Sequence, residues 1–258
     1  MKTAIIIPAR YGSTRFPGKP LAILKGKTIL EHVYDVAKAA SDSNTTIHVA
    51  TDDDRIATHC TDKNIPFLMT PSDCATGTDR AMAAISQMTD KPDFVINLQG
   101  DAPLTPPDFV RALIDEAQQS NTADIITPVT QLSWEELDQL RDHKKTTPFS
   151  GTTATIDQSG RALWFSKNII PAIRKENRTL PLSPVYRHIG LYGYKRESLE
   201  KYITLPASLY EDLEGLEQLR ALENGMTIQT VLVDYKGRPA MTGIDSPEDL
   251  SRAEKLLV

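Results

Sequence analysis

The chain has 258 residues, with 29 Lys+Arg against 34 Asp+Glu and a formal net charge of −5. At 40% hydrophobic and 24% charged residues it has the composition of an ordinary globular protein, long enough to bury a core without disulfides or a structural metal. The mild acidity argues against a dedicated nucleic-acid partner, which calls for a basic stripe. No apolar run approaches the ~18 residues of a membrane span or the make-up of a signal peptide.

Thr3–Ile7 is a short β-branched run ending at Pro8 and predicts a fully buried strand. Residues 28–40 put Ile29, Leu30, Val33, Val36 and Ala37 on one helical face. Thr46–Ala50 predicts a strand, Asp53–Asp62 a short helix, Ile65–Met69 a strand and Thr78–Met88 a helix. Asp93–Leu98 is the strongest strand signal, and a helix follows from Pro107 to Gln119 with proline at its start. Alternating strands and helices with short connections imply a mostly parallel sheet with helices on both faces.

The second half is less regular. Ile125–Thr130, Thr152–Ile156 and Ala162–Phe165 predict strands, the last two as a hairpin around Asp157–Gly160. Residues 166–186 carry three prolines and several basic residues without periodicity, and predict a long arm. His188–Tyr194 predicts a strand, Tyr210–Asn224 an amphipathic helix ended by Gly225, and Thr227–Val233 a strand. The last helix opens at Ser246-Pro247-Glu248-Asp249, with serine as cap and proline in the first turn. The organisation implied is one α/β domain over 1–258, with a smaller mixed subdomain inserted at about 131–206.

In open α/β sheets ligands bind beyond the carboxyl ends of the strands. After the first strand comes Pro8-Ala9-Arg10-Tyr11-Gly12-Ser13-Thr14-Arg15-Phe16-Pro17-Gly18-Lys19-Pro20, with two glycines and the cations Arg10, Arg15 and Lys19. Glycines let backbone N–H groups approach an anion, and the cations neutralise phosphate charge. Five residues separate Gly12 from Gly18, and Pro20 stands where a Walker loop needs a hydroxyl, so this is not a Walker loop; it reads as another kind of phosphate loop, or as a solvated turn with incidental charges. The strongest strand ends in Gln99-Gly100-Asp101, where the carboxylate suits a hard cation, though such a residue also forms turns or caps helices. Asp245 ahead of the final helix is a second candidate oxygen ligand or a turn residue. Thr76-Gly77-Thr78-Asp79-Arg80 suits hydrogen bonding to a polar heterocycle, or is a bare helix cap. Cys60 and Cys74 match no CxxC or zinc spacing.

The segments IIIPARYGSTRFPGKPL, HVATDD, GTDR, NLQGD, WFSKNIIP, RHIGLYGY, LEQLRAL and TGIDSPEDL together resemble the 3-deoxy-manno-octulosonate cytidylyltransferases, or CMP-Kdo synthetases. The resemblance implies a Rossmann-like nucleotidyltransferase fold, Mg²⁺ dependence, a cytoplasmic homodimer built largely by the second half, and supply of activated sugar for lipopolysaccharide. It implies attack by a sugar acid's anomeric hydroxyl on the α-phosphorus of CTP. Carried over, Arg10, Ser13, Arg15, Lys19, Thr78, Arg80 and Gln99 bind the nucleotide, with Arg10, Lys19 and Asp101 catalytic. Asp101 and Asp245 hold Mg²⁺, and Gln99, Lys167, His188, Tyr192, Glu217 and Gln218 line the sugar pocket.

The chain departs from that family's usual pattern on the acceptor side: Ala102 stands for glutamate, Thr153 for lysine, Lys167 for arginine and Asp212 for histidine. A cation lost and a carboxylate gained suit a more positive sugar, because a buried ammonium needs a paired anion. The expectation is therefore the 8-amino-3,8-dideoxy sugar, Kdo8N, with Asp212 facing its amine, and unmodified Kdo as the alternative. A sialic-acid-type cytidylyltransferase and a catalytically dead nucleotide-binding regulator are the further readings; the retained Lys19, Asp101 and Asp245 argue against the second.

Overall fold

The structure is a computed structural model and describes residues 1–12, 15–119, 123–238 and 243–256. Its first half is built on β1 (Thr3–Pro8), β4 (Thr45–Thr51), β5 (Phe67–Met69) and β6 (Phe94–Asn97), with a small hairpin of β2 (Ile23–Leu24) and β3 (Lys27–Thr28). The four longer-range partners run parallel in the order β5-β4-β1-β6. Helices α1 (Ile29–Ala40), α2 (Asp54–Asp62), α3 (Gly77–Gln87) and α4 (Pro107–Gln119) connect them.

Ala4, Ile5, Ile6 and Ile7 are all fully buried, because successive side chains of β1 enter opposite layers. Ile5 and Ile7 pack with α1, α2 and α4, whereas Ala4 and Ile6 pack with Ala81, Ala84 and Ile85 of α3. Each buried isoleucine contributes roughly 2–3 kcal/mol of transfer free energy. Helix starts are chemically marked: Thr28 and Glu31 form a reciprocal capping box on α1, and Thr76 and Asp79 do so on α3.

The second half continues the same sheet. It adds β7 (Ile125–Ser133), β8 (Thr153–Ile156), β9 (Ala162–Ser166), β10 (Leu182–His188), β11 (Tyr192–Lys195) and β12 (Ile228–Leu232). The order runs on as β6-β11-β7-β10-β8-β9, with β12 parallel to β7 and the other new pairings antiparallel. The β8–β9 hairpin turns at Asp157–Gly160 as its residues predict, closed by Gly160 N–H donating to Asp157 O.

Three expectations change. His188–Tyr194 is not one strand: β10 ends at His188 and β11 begins at Tyr192, on the two sides of β7. The chain crosses β7 between them, where Ile189 N–H donates to Pro128 O and Leu191 N–H donates back to Ile189 O. Tyr210–Asn224 is not one helix: α7 (Leu209–Glu214) and α8 (Gln218–Glu223) are separated by Gly215 in the left-handed conformation, φ 62°. That backbone state is open to glycine at little cost and ends the helix. The arm ends before β10, and Trp134 Nε1 pins it by donating to Leu180 O.

Two helices were not singled out by apolar periodicity. One is α5 (Trp134–Thr146), marked instead by a Ser133–Glu136 capping box, and the other is α6 (Arg196–Tyr202). The final helix, α9 (Pro247–Leu256), starts where its proline predicts. No helix among the described residues is long and apolar enough to cross a membrane.

Candidate active site

At the carboxyl ends of the parallel strands lie two adjoining clefts. The first, of about 450 Å³, is lined by the loop after β1 (Arg10, Gly12, Arg15, Lys19), by Cys74–Gly77 and Arg80, by Gln99–Asp101, and by Glu217 and Asp245. The second, of about 330 Å³, is lined by Ala102, Gly151, Thr152, Lys167, Arg187, His188, Tyr192 and Tyr235 among others. Gln99 and Asp101 belong to both walls. A wider cleft of about 620 Å³ opens at the opposite end of the strands, around Asp93, Lys195 and Arg196, and shares no residue with either.

The loop after β1 folds back on itself. Gly18, at φ 72°, donates its N–H to Tyr11 O at 2.9 Å, and a Cβ there would meet the Tyr11 ring at 3.0 Å. Arg55 stacks on the other partner of that contact, 3.3 Å from the Tyr11 ring centroid. The turn thereby carries Lys19 into the cleft, where its side chain is 13% exposed. Arg10 is exposed at the rim and makes no ion pair among the described residues. Ser13 lies outside the described residues.

Lys19 Nζ donates to Asp101 Oδ2 at 2.7 Å and to Asp245 Oδ1 at 3.1 Å, and Arg15 approaches Asp245 Oδ2 at 3.2 Å. Asp101 is delivered by a close backbone approach: a Cβ on Gly100 would lie 2.3 Å from Pro8 O. Its main-chain oxygen accepts Ile244 N–H at 2.7 Å, and Gly243 leaves no side chain where a Cβ would meet Asp101 Oδ1 at 2.9 Å. Asp245 is set by the first turn of α9, its N–H donating to Asp249. Two carboxylates converging on one cation fit the donor set of a hard divalent ion. Among the described residues no third His, Cys, Asp or Glu joins them, so the ion's remaining ligands must come from elsewhere.

Thr78 and Arg80 sit in the first turn of α3. Thr78 Oγ1 donates to Glu217 Oε2 and accepts from Asn97 Nδ2, both at 3.3 Å. The Arg80 guanidinium is buried and held by Asp52 at 3.1 Å and Thr70 Oγ1 at 2.6 Å, so it braces the 70–79 wall of the first cleft from below. Glu217 stands in that same wall rather than in the second cleft. Burial raises its carboxyl above the usual range, against the Thr78 hydrogen bond and the Arg220 charge.

In the second cleft His188 is held at the β7 crossing. Its Nε2 lies 2.9 Å from Thr127 Oγ1, and the Thr127 hydroxyl donates to Leu191 O at 2.8 Å. With that proton spent on Leu191, Nε2 must be the donor to Thr127, which fixes the tautomer and leaves Nδ1 with its lone pair. Burial, aided by the Lys167 charge, pushes the His188 pKa down to about 3. Tyr192 OH donates to Gln218 Oε1 at 2.9 Å, so buried Gln218 supports the wall without lining it. Burial raises the Tyr192 phenol well above its ordinary value and lowers the Lys167 ammonium.

Asp212 is the predicted site residue that the structure places apart: it is exposed on α7 and lines neither cleft. Thr153 is fully buried, its hydroxyl donating to Asn168 O and accepting Ile170 N–H, which ties β8 to the arm. The α7 carboxylate that does reach the arm is Glu214, accepting Ser166 Oγ–H and Lys167 N–H, both at 2.7 Å. Arg187 was not anticipated; it lines the second cleft with no ion pair among the described residues. Its place beside His188 in the RHIGLYGY segment was the signal available.

A sheet whose parallel half carries a cationic loop and two convergent aspartates at its carboxyl edge is the arrangement of a nucleotidyltransferase, and known relatives agree. The profile of the cytidylyltransferase family matches residues 4–228. Chains named 3-deoxy-manno-octulosonate cytidylyltransferase are 42% identical over 257 residues in Maricaulis maris (100% of this chain, 97% of that one) and 39% identical over 255 residues in Elusimicrobium minutum (99% and 98%). A solved CMP:2-keto-3-deoxy-manno-octonic acid synthetase complexed with CTP superposes with TM-score 0.85 at 32% identity, covering 100% of this chain and 98% of that one. The 4-diphosphocytidyl-2C-methyl-D-erythritol synthase of Anaerococcus prevotii shares the fold alone, at TM-score 0.59 and 15% identity over 99% of this chain and 98% of that one. This chain belongs to the 3-deoxy-manno-octulosonate cytidylyltransferase family.

Proposed function

We propose that the protein transfers CMP from CTP to the anomeric hydroxyl of a 3-deoxy-octulosonate sugar acid, releasing pyrophosphate, as a cytoplasmic homodimer serving lipopolysaccharide synthesis. The observation that carries this reading is the pair of clefts joined at Gln99 and Asp101. One holds the phosphate-binding cations and the other holds an anionic acceptor's counter-charges, Lys167 and Arg187. Two substrates seated across one carboxylate meet at the α-phosphorus, where positioning and charge neutralisation supply most of the rate.

Arg10, Arg15 and Lys19 neutralise the triphosphate and stabilise the charge developing on pyrophosphate. The Thr76–Thr78 turn and Gln99 hold the base and ribose end, with Arg80 bracing that wall. His188, neutral and of fixed tautomer, and Tyr192 orient the sugar while the second cleft excludes water. Asp101 and Asp245 are the residues that would hold Mg²⁺, which when bound polarises the α-phosphate and acidifies the attacking hydroxyl.

Between the two octulosonates, the relatives' names and the position of Asp212 favour unmodified Kdo. Kdo8N remains the second reading, supported by the loss of a lysine at Thr153 and the gain of carboxylate at Asp212; it requires α7 to close over the sugar. Exposed Leu163 on β9 and Leu209 and Leu213 on α7 support the homodimer, the two elements being joined by an edge contact between Trp164 and Tyr210. Pyrophosphate release with CTP and Mg²⁺, measured in parallel with Kdo, Kdo8N and a sialic acid, tests the acceptor. Preference for Kdo removes the amino-sugar reading. A kcat/KM favouring Kdo8N that collapses selectively in Asp212→Asn restores it, and no turnover with any acceptor leaves a regulator.

A further inference from the structure

We propose that Lys19 gates the metal site: its ammonium occupies the space between Asp101 and Asp245, and a divalent cation reaches the two carboxylates only when nucleotide phosphate draws that ammonium away. The proposal rests on the assignment of this aspartate pair to the metal.

Lys19 Nζ lies 2.7 Å from Asp101 Oδ2 and 3.1 Å from Asp245 Oδ1, so one ammonium contacts both carboxylates that a cation would need. Its backbone is fixed by the turn at Gly18, with Lys19 N–H donating to Phe16 O at 3.2 Å, so the ammonium moves by side-chain torsions alone. The Asp101 backbone is held in turn by Ile244 N–H, which donates to its main-chain oxygen. Arg15 completes the charge balance at Asp245 Oδ2. Two carboxylates against two cations leave the cluster neutral. A dication entering it alone creates an excess of positive charge in a partly enclosed cleft, which the interior resists.

A nucleotide triphosphate reverses the balance. Its oxygens supply the ligands that two carboxylates cannot, since Mg²⁺ is ordinarily held by one or two carboxylates plus substrate phosphates. The same oxygens are acceptors for Lys19 and Arg15. One side chain therefore serves two partners in succession, and metal and nucleotide binding are coupled in both directions.

The expected effect follows from occupancy. If the ammonium holds the carboxylates about nine-tenths of the time, the apparent metal Kd is weakened about tenfold relative to the free pair. Mn²⁺ titration of the full-length protein without nucleotide, followed by electron paramagnetic resonance of free Mn²⁺, reads this directly. Lys19→Met is expected to bind Mn²⁺ at least about tenfold more tightly than wild type, Lys19→Gln to share the gain, and Lys19→Arg to stay weak. Adding Asp101→Asn to Lys19→Met is expected to abolish the gain. Folded Met and Gln variants that bind Mn²⁺ no better than wild type overturn the gate while leaving the metal assignment intact. A gain that survives Asp101→Asn and Asp245→Asn places the ion elsewhere and overturns both.

Discussion

Gly100→Ala tests whether the close approach of β1 and the turn after β6 is what seats Asp101. The added Cβ would lie 2.3 Å from Pro8 O, a backbone atom at the end of a strand buried on both sides. Van der Waals contact there needs more than 3 Å, so the two segments must part by most of an ångström. Overpacking of this kind costs about 1–3 kcal/mol, and for a chain of this size each kilocalorie moves Tm by about 2–4 °C. A drop of roughly 2–12 °C is therefore expected by differential scanning fluorimetry. The parting also carries Asp101 off its position, and a misplacement near 1 Å lowers turnover by up to about 100-fold. Gly12→Ala, where no atom of the described residues lies within 4 Å of the built Cβ, is the stability control and should melt with wild type. A Gly100→Ala protein that melts with wild type and keeps its kcat/KM would refute the argument that this contact positions the carboxylate.

Other outcomes follow from the acceptor side. Lys167→Met and Arg187→Met should each raise the acceptor KM by about 10- to 150-fold while the CTP KM changes little, since a charge-assisted hydrogen bond is worth about 1.5–3 kcal/mol; equal effects on both substrates would contradict the division between clefts. Lys144 of α5 donates its ammonium to the carbonyls of Pro148, Ser150, Gly151 and Lys167, at 2.5–3.2 Å. Lys144→Met strands these acceptors and should lower stability by about 2–4 kcal/mol in urea unfolding, and it should raise the acceptor KM more than it lowers kcat. His188 has a folded pKa of about 3 against about 6.5 when unfolded. The unfolded state thus binds more protons between those values, so this group's contribution is whole above pH 6.5 and is lost as pH falls toward 3. His188→Gln should flatten the acid limb of the stability curve, and an unchanged slope would contradict the buried neutral imidazole.

The parallel half of the sheet was legible because its signals are local. Ala4–Ile7 and Phe94–Ile96 are apolar on both faces, and the caps of α1 and α3 are written in single residues. The cationic loop and Asp101 could be located because they follow those strands directly, and Asp245 because it precedes the serine–proline start of α9. The failures share a cause: where the chain serves the acceptor cleft, tertiary demands override periodicity. The Tyr210–Asn224 pattern is helical throughout, but Gly215 breaks it and turns Leu216 inward, leaving Glu217 in the wall of the first cleft and Gln218 under Tyr192. His188 and Tyr192 belong to different strands because the chain crosses β7 between them, a long-range event without a local mark. Asp212 was read from its charge and from its departure from the family pattern, and neither says which face of a short helix meets the cleft.

The central claim is tested most directly by mixing the protein with CTP, Mg²⁺ and Kdo and following both products, pyrophosphate by coupled assay and the sugar nucleotide by mass. Pyrophosphate release is expected to depend on the sugar acid, with one equivalent of a CMP–sugar conjugate for each pyrophosphate and loss of both in Asp101→Asn. Pyrophosphate released without the sugar, or a nucleotide product lacking it, would contradict the account.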